Sequence, residues 1–442
     1  MPGVIQRALR PFQQFFATEA AGGVVLLACT AVALLWANSP WSHSYFELWE
    51  LTLSINLGAS SFSKSLHHWI NDGLMVVFFL LVGLEIKREM MVGELASLRR
   101  AAMPVAAAFG GMAVPALIYI AFNAGSAGSR GWAIPVATDI AFALGVLALL
   151  GSRVPVALKV FLAALAIADD IGAVLVIAFF YTAELSTTML GAAAAIVGTL
   201  LVVNRAGVAH LAVYLGLGLL LWLAVLWSGI HATIAGVLLA MTIPARNRID
   251  EDEFISRARA ALGEFEAAEG PARSVIANPP QQEALHLLDS ATEEVQSPLM
   301  KLEHRLHAAV AFGIMPLFAL ANAGVALQGG IWGTLDLRIV FGIVLGLMFG
   351  KSIGITAASL LSQRSGIAQL PDGVNLRALH GMSWLGGIGF TMSLFVASLA
   401  FEPGVLLDSA KVGILGGSLV SGTIGWMLLR RPNVHVVGNG AR

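Results

Sequence analysis

Apolar runs recur along this chain from near residue 20 to near residue 430, many of them close to the roughly 20 residues a helix needs to cross the hydrocarbon of a bilayer. Only 12% of the 442 residues are charged and the mean hydropathy is +0.80. Ordinary soluble domains carry roughly 25% charged residues, so a water-soluble core is excluded. The chain reads as an all-α polytopic membrane protein embedded in a lipid bilayer. Its net charge of −1 offers no basic excess for nucleic acid. The single cysteine, Cys29, lies inside an apolar run, which excludes an internal disulfide and any multi-cysteine metal site.

About twelve spans are predicted, near 21–38, 68–89, 101–123, 131–150, 155–181, 188–204, 209–226, 229–244, 304–326, 339–361, 378–401 and 408–430. The first follows the basic segment Arg7 to Arg10 but leads into further spans, as a membrane helix does and a cleaved signal does not. Connections bearing Arg99 and Arg100, Arg153 and Lys159, Arg205, Arg246 and Arg248, Arg364 and Arg377, and Arg430 and Arg431 alternate with connections poor in basic residues. By the positive-inside rule both termini face the cytoplasm. Residues 1–20 then form a cytoplasmic segment, 21–244 carry spans one to eight, 304–430 carry spans nine to twelve, and 431–442 form a cytoplasmic tail. Residues 39–67 alternate apolar and polar side chains around Asn56 and Gly58, the pattern of an external β-hairpin or of a plain solvated loop, with a dimer contact as one use. Residues 245–303 are acidic and interrupted by Pro271, Pro279 and Pro280; they are expected to be a cytoplasmic insertion loop with short helical pieces at most.

An ionisable side chain at bilayer depth costs on the order of 2.5–3.5 kcal/mol, so each one inside these spans needs a reason. Asp139, the adjacent pair Asp169 and Asp170, and Lys351 all have apolar sequence on both sides. Neighbours on a helix point about 100° apart, so one aspartate of the pair is expected to face a cavity and the other to flank it. Carboxylates crowded in a poorly solvated place hold protons tightly. Deprotonated, the same oxygens form a hard anionic site suited to a small hard cation, with Thr138 and Asp139 as further ligands. If proton and Na⁺ exclude one another there, and only the occupied site turns across the membrane, each cycle exchanges them. The plain alternative is that the aspartates pair with Lys351 and lock helices together.

Pro135, one turn before Asp139, and Gly386, Gly387 and Gly389 mark two candidate broken helices, since unwound backbone at depth is tolerated where it lines a cavity. Close packing is the competing use of those glycines. Glu85 and Glu89 sit at a helix end, where solvation explains them. His231, and Glu303 with His304 and His307, have either a plain hydrogen-bonding role or a pH-sensing one. Rival classes have less support: sodium symport of an organic solute is the runner-up and lacks a further charged cluster at depth. A cation channel lacks filter repeats, and a membrane enzyme lacks a catalytic constellation.

Thr138 and Asp139 in Ala137 to Gly145, followed by Asp169 and Asp170 in Leu165 to Ala173, resemble the NhaA family of Na⁺/H⁺ antiporters. Similar stretches in family order are Asn71 to Met75, Leu84 to Glu89, Ser228 to Thr233, Leu320 to Val325, Gly350-Lys351 and Gly387 to Ser393. The resemblance implies twelve spans in inverted-topology repeats, with two discontinuous helices crossing at mid-membrane. It implies that Asp169 and Asp170 bind Na⁺ or Li⁺ and protons, that Asp139 and Thr138 lie at the helix crossing, and that Lys351 pairs with a binding-site aspartate. It associates Glu85, Glu89, His231 and Glu303 with activation by alkaline pH. It implies electrogenic exchange of cytoplasmic Na⁺ or Li⁺ for external H⁺ across a bacterial inner membrane, often as a homodimer, with no cofactor beyond the transported ions.

Overall fold

The computed structural model describes residues 21–430, apart from 58–59, 183–184, 248, 269–277, 327–333 and 372. The expected cytoplasmic segments 1–20 and 431–442 lie outside the described residues. In chain order, α1 (Ala21–Ala37) turns through 113° into α2 (Ser42–Glu50). Strands β1 (Thr52–Leu57) and β2 (Ser60–Ser65) then pair antiparallel in a register running from Thr52 opposite Ser65 to Leu57 opposite Ser60. The 39–67 segment therefore does contain the hairpin, preceded by a short helix.

Helices α3 (Leu66–Val92) and α4 (Leu98–Asn123) follow, then a 3₁₀ segment (Ala127–Val136) bent by 42° from α5 (Ile140–Leu149). Next come α6 (Val156–Phe180), α7 (Thr187–Arg205), α8 (Leu211–Leu226) and α9 (Ile234–Thr242). After α10 (Glu251–Ala267) and α11 (Pro279–Val295) the chain re-enters long apolar helices at α12 (Pro298–Asn322) and α13 (Leu337–Arg364). The last elements are α14 (Leu376–Leu385), bent by 46° from α15 (Phe390–Ala400), and α16 (Val405–Arg430).

Seven of these helices are long and apolar enough to cross a membrane, and counting each of the three bent pairs as one span raises the number to ten among the described residues. The protein is thus all-α and multi-pass, but the number twelve is not reached. The expected spans at 209–226 and 229–244 are helices of 16 and nine residues. Large side chains such as Phe109, Phe179 and Leu419 stand outward on the long helices, as lipid-facing residues must.

Residues 245–303 depart further from expectation. They hold two 17-residue helices packed on each other through Ala261, Ala284 and Ala291, and Arg257 joins Glu253 of its own helix and Glu294 of the other. Pro279 and Pro280 do not break a helix. They start one, behind the Asn278 cap that accepts from Gln281 N, because a proline at the first helical position loses no hydrogen bond. The next helix begins at Pro298, so Glu303 is helical. Leu299 N donates to Pro244 O at 3.1 Å, which brings the two ends of the insertion together.

Glycines set the helix spacing near the bundle centre. On α4 and α13, Gly110 and Gly354 face each other so closely that a Cβ on either would strike the other's carbonyl, and Gly350 rests on Pro115 one turn away. The aliphatic stem of Lys351 passes Gly111, while Met112 lies over Gly172 of α6. These contacts bring the only lysine of α13 beside the aspartates of α6.

Candidate ion-binding site

The two broken helices meet at their breaks. Asp139 N donates to Ile388 O at 2.7 Å, the Thr138 hydroxyl to Gly386 O at 2.8 Å, and the Ser393 hydroxyl to Ile134 O at 2.7 Å. Backbone groups freed by unwinding one chain are thus satisfied by the other, as burial in hydrocarbon demands. Asp139 closes the crossing. Its Oδ1 caps α5 by accepting from Phe142 N at 3.0 Å, and its Oδ2 accepts from Thr391 N at 3.0 Å and from the Thr391 hydroxyl. A carboxylate at the N-terminus of α5 also meets the positive end of that helix. Gly389 N and Phe390 N donate to the Ser418 hydroxyl of α16, both at 3.2 Å.

Asp169 and Asp170 divide as neighbours on a helix should. Asp169 Oδ2 accepts from Lys351 Nζ at 2.6 Å, with the lysine fully buried and the aspartate 1% exposed. Asp170, 2% exposed, points instead into a cavity of about 60 Å³ that it shares with Thr138, Asp139, Glu85 and Thr391. Phe78, Leu81, Val82, Ile140 and Met315 form its apolar walls. Lys351 and Asp169 do not line it. Among the described residues, Asp170 Oδ1 and Asp169 Oδ1 are buried without a hydrogen-bond partner.

Of Glu85, Glu89, His231 and Glu303, Glu85 lines the cavity, as does His307 of the Glu303 group. Glu89 accepts from Glu94 N at 2.6 Å and folds the end of α3. Glu303 pairs with Arg88 at 2.7 Å, joining α12 to α3. His231 lies toward the opposite end of α3, bonded to the Thr233 hydroxyl at 2.9 Å, with Asp72 at 3.8 Å and Phe395 edge-on. These four residues therefore do not form one cluster.

Thr391 and Ser418 carry the crossing, yet neither stands out as a site residue in the sequence. Thr391 has a signal, since it follows the glycine-rich break. Ser418 is one of several small polar residues in α16, and nothing in the pattern separates it from the rest.

The family model for Na⁺/H⁺ antiporter 1 matches residues 13–429. The chain belongs to the Na⁺/H⁺ antiporter 1 family. A Na⁺/H⁺ antiporter NhaA of Oleidesulfovibrio alaskensis is 51% identical over 429 residues, covering 97% of this chain and 95% of the relative. One of Koribacter versatilis is 49% identical over 427 residues, 97% of this chain and 92% of the relative. The antiporter named NhaA 2 of Syntrophotalea carbinolica is 47% identical over 436 residues, 98% and 99% of the two chains. Membership makes this antiporter-family protein a multi-pass membrane transporter and not a catalytic enzyme. The coverage includes the insertion and the broken helices alike.

Proposed function

We propose that the protein exchanges cytoplasmic Na⁺, or Li⁺, for external H⁺, electrogenically, for pH and sodium homeostasis. Asp170 carries the reading: its Oδ1 is buried beside a cavity and bonded to no donor, so the site calls for either a proton or a cation. Asp169 is the second binding carboxylate, freed when Lys351 lets go. Asp139 and Thr138 complete the ligand set from the crossing. Because a cation entering between Asp169 and Asp170 competes with their protons and with the Lys351 ammonium, occupancy by one displaces the others. The broken helices then let the occupied site turn toward the other side of the membrane.

The remaining assignments follow the same reading. Glu85, Glu89, His231 and Glu303 adjust activity with pH, by separate routes. The protein lies in a bacterial inner membrane with both termini and the 245–303 insertion in the cytoplasm, acts without a cofactor, and pairs as a homodimer through the 39–67 hairpin. Relatives named Na⁺/H⁺ antiporters across nearly the whole chain support the exchange itself.

The deciding experiment measures Na⁺-driven dissipation of an imposed pH gradient in proteoliposomes for the wild type, Asp170→Asn and Asp169→Asn across a range of pH. Exchange in the wild type that both substitutions abolish or strongly weaken is the expected result. A wild type silent at every pH overturns the reading.

A further inference from the structure

His380 lies on α14 outside the cavity, half-buried, and every proton around it has one place. Trp384 Nε1 can only donate, and it lies 3.1 Å from His380 Nε2, so that nitrogen carries no proton. A neutral imidazole then holds its proton on Nδ1, which faces the Thr356 hydroxyl of α13 at 3.2 Å. Thr356 in turn lies 3.0 Å from Ser383 Oγ, and Ser383 spends its own proton on His380 O at 2.7 Å. The network is closed only while the ring is neutral.

It also ties together the parts that seat the ion site. Thr356 lies five residues beyond Lys351 on α13. The Trp384 ring packs edge-on against Phe349, two residues before Lys351, at 5.8 Å. Trp384 O accepts from the Ser421 hydroxyl of α16 at 2.7 Å, and Gly386 O, two residues on, receives the Thr138 hydroxyl.

We propose that His380 is a positioning residue that clamps the Lys351 helix to the first half of the broken helix in its neutral form and releases it when protonated. A proton on Nε2 sets one N–H against another, and the Trp384 indole has to swing away from Phe349 and from the break. Histidine is the side chain whose charge changes near neutrality. No ion pair to His380 is found among the described residues. The charged side chains on elements packed against α14 are Arg338, Lys351 and Arg364 on α13, Asp408, Lys411 and Arg430 on α16, and Lys159, Asp169 and Asp170 on α6, with Arg377 on α14 itself. The immediate partners are the uncharged Thr356, Ser383 and Trp384.

The clamp rests on the antiport reading for its effect on transport, so its test has two arms. In proteoliposomes, His380→Gln can accept from Trp384 and donate to Thr356 without titrating; it is expected to match the wild type at alkaline pH and to keep exchanging at acid pH where the wild type falls off. Trp384→Phe removes the donor that a proton on Nε2 opposes, so its acid limb is expected to differ from that of the wild type. The second arm needs no transport. Thermal stability of the purified protein is followed from about pH 8 to about pH 5, where a proton on Nε2 would oppose the Trp384 N–H and wild type should lose more than His380→Gln. Superimposable acid limbs and equal losses of stability in the two proteins overturn the clamp. A wild type without Na⁺ exchange overturns the antiport reading alone and leaves the stability arm to decide.

Discussion

Lys351 Nζ and Asp169 Oδ2 meet at 2.6 Å with both side chains sealed from solvent, while Asp170, the next residue, turns into the cavity. Two adjacent carboxylates thus have opposite structural weights. Asp169→Asn leaves a buried ammonium unpaired, and breaking such a pair costs roughly 3–5 kcal/mol. Asp170→Asn removes a carboxylate with an unbonded oxygen and is expected to hold or raise the melting temperature while abolishing exchange. Thermal unfolding in detergent beside proteoliposome transport separates the two.

Lys351→Met should destabilise by a comparable amount for the reciprocal reason, because Asp169 is then the orphan. Joining it to Asp169→Asn removes both charges, and the double variant should recover most of the lost stability, since replacing both partners of a buried pair is often neutral. Additive losses in the double variant would show that the two side chains do not act as a pair.

At the crossing, Asp139 Oδ2 takes two donors from Thr391, one of them the backbone. Thr391→Val keeps the backbone donor and loses the hydroxyl, so a cost of about 1–2 kcal/mol is expected. Asp139→Ala also uncaps Phe142 N and should cost more. The ranking is checked by unfolding of the two purified variants under one condition.

Gly354→Val tests the helix spacing that delivers Lys351. A Cβ there meets the Gly110 carbonyl, and overpacking of this kind costs typically 1–3 kcal/mol. Both stability and exchange should fall, whereas the same change at Gly191, which has nothing within 4 Å of its Cβ position, should leave both near wild type.

Excising residues 251–295 and joining the ends with a short linker should leave Na⁺-driven exchange in place. The two helices of the insertion pack on each other, and Pro244 and Leu299 already hold its ends together. Loss of exchange in a well-folded deletion variant would place the insertion in the transport cycle.

Much of this was readable in one dimension, because hydrocarbon punishes exceptions so strictly. Asp139, Asp169, Asp170 and Lys351 stood out as charges inside apolar runs, and a helix's 100° step alone required Asp169 and Asp170 to face different surroundings. Pro135 and Gly386 to Gly389 marked the two breaks, since local backbone chemistry decides where a helix can unwind. The length of the insertion helices is not legible from its prolines, because a proline that ends one helix can start another, and it is the Asn278 cap that shows Pro279 starts one. What remained for the tertiary structure were the pairings between residues hundreds of positions apart. Gly110 and Gly354 set how closely α4 and α13 approach and so bring Lys351 within reach of Asp169 on α6, and Thr391 bonds Asp139 because two breaks at distant sequence positions supply each other's missing donors and acceptors. Those partners are selected by distance in the packed bundle, a quantity that no local pattern along the chain encodes.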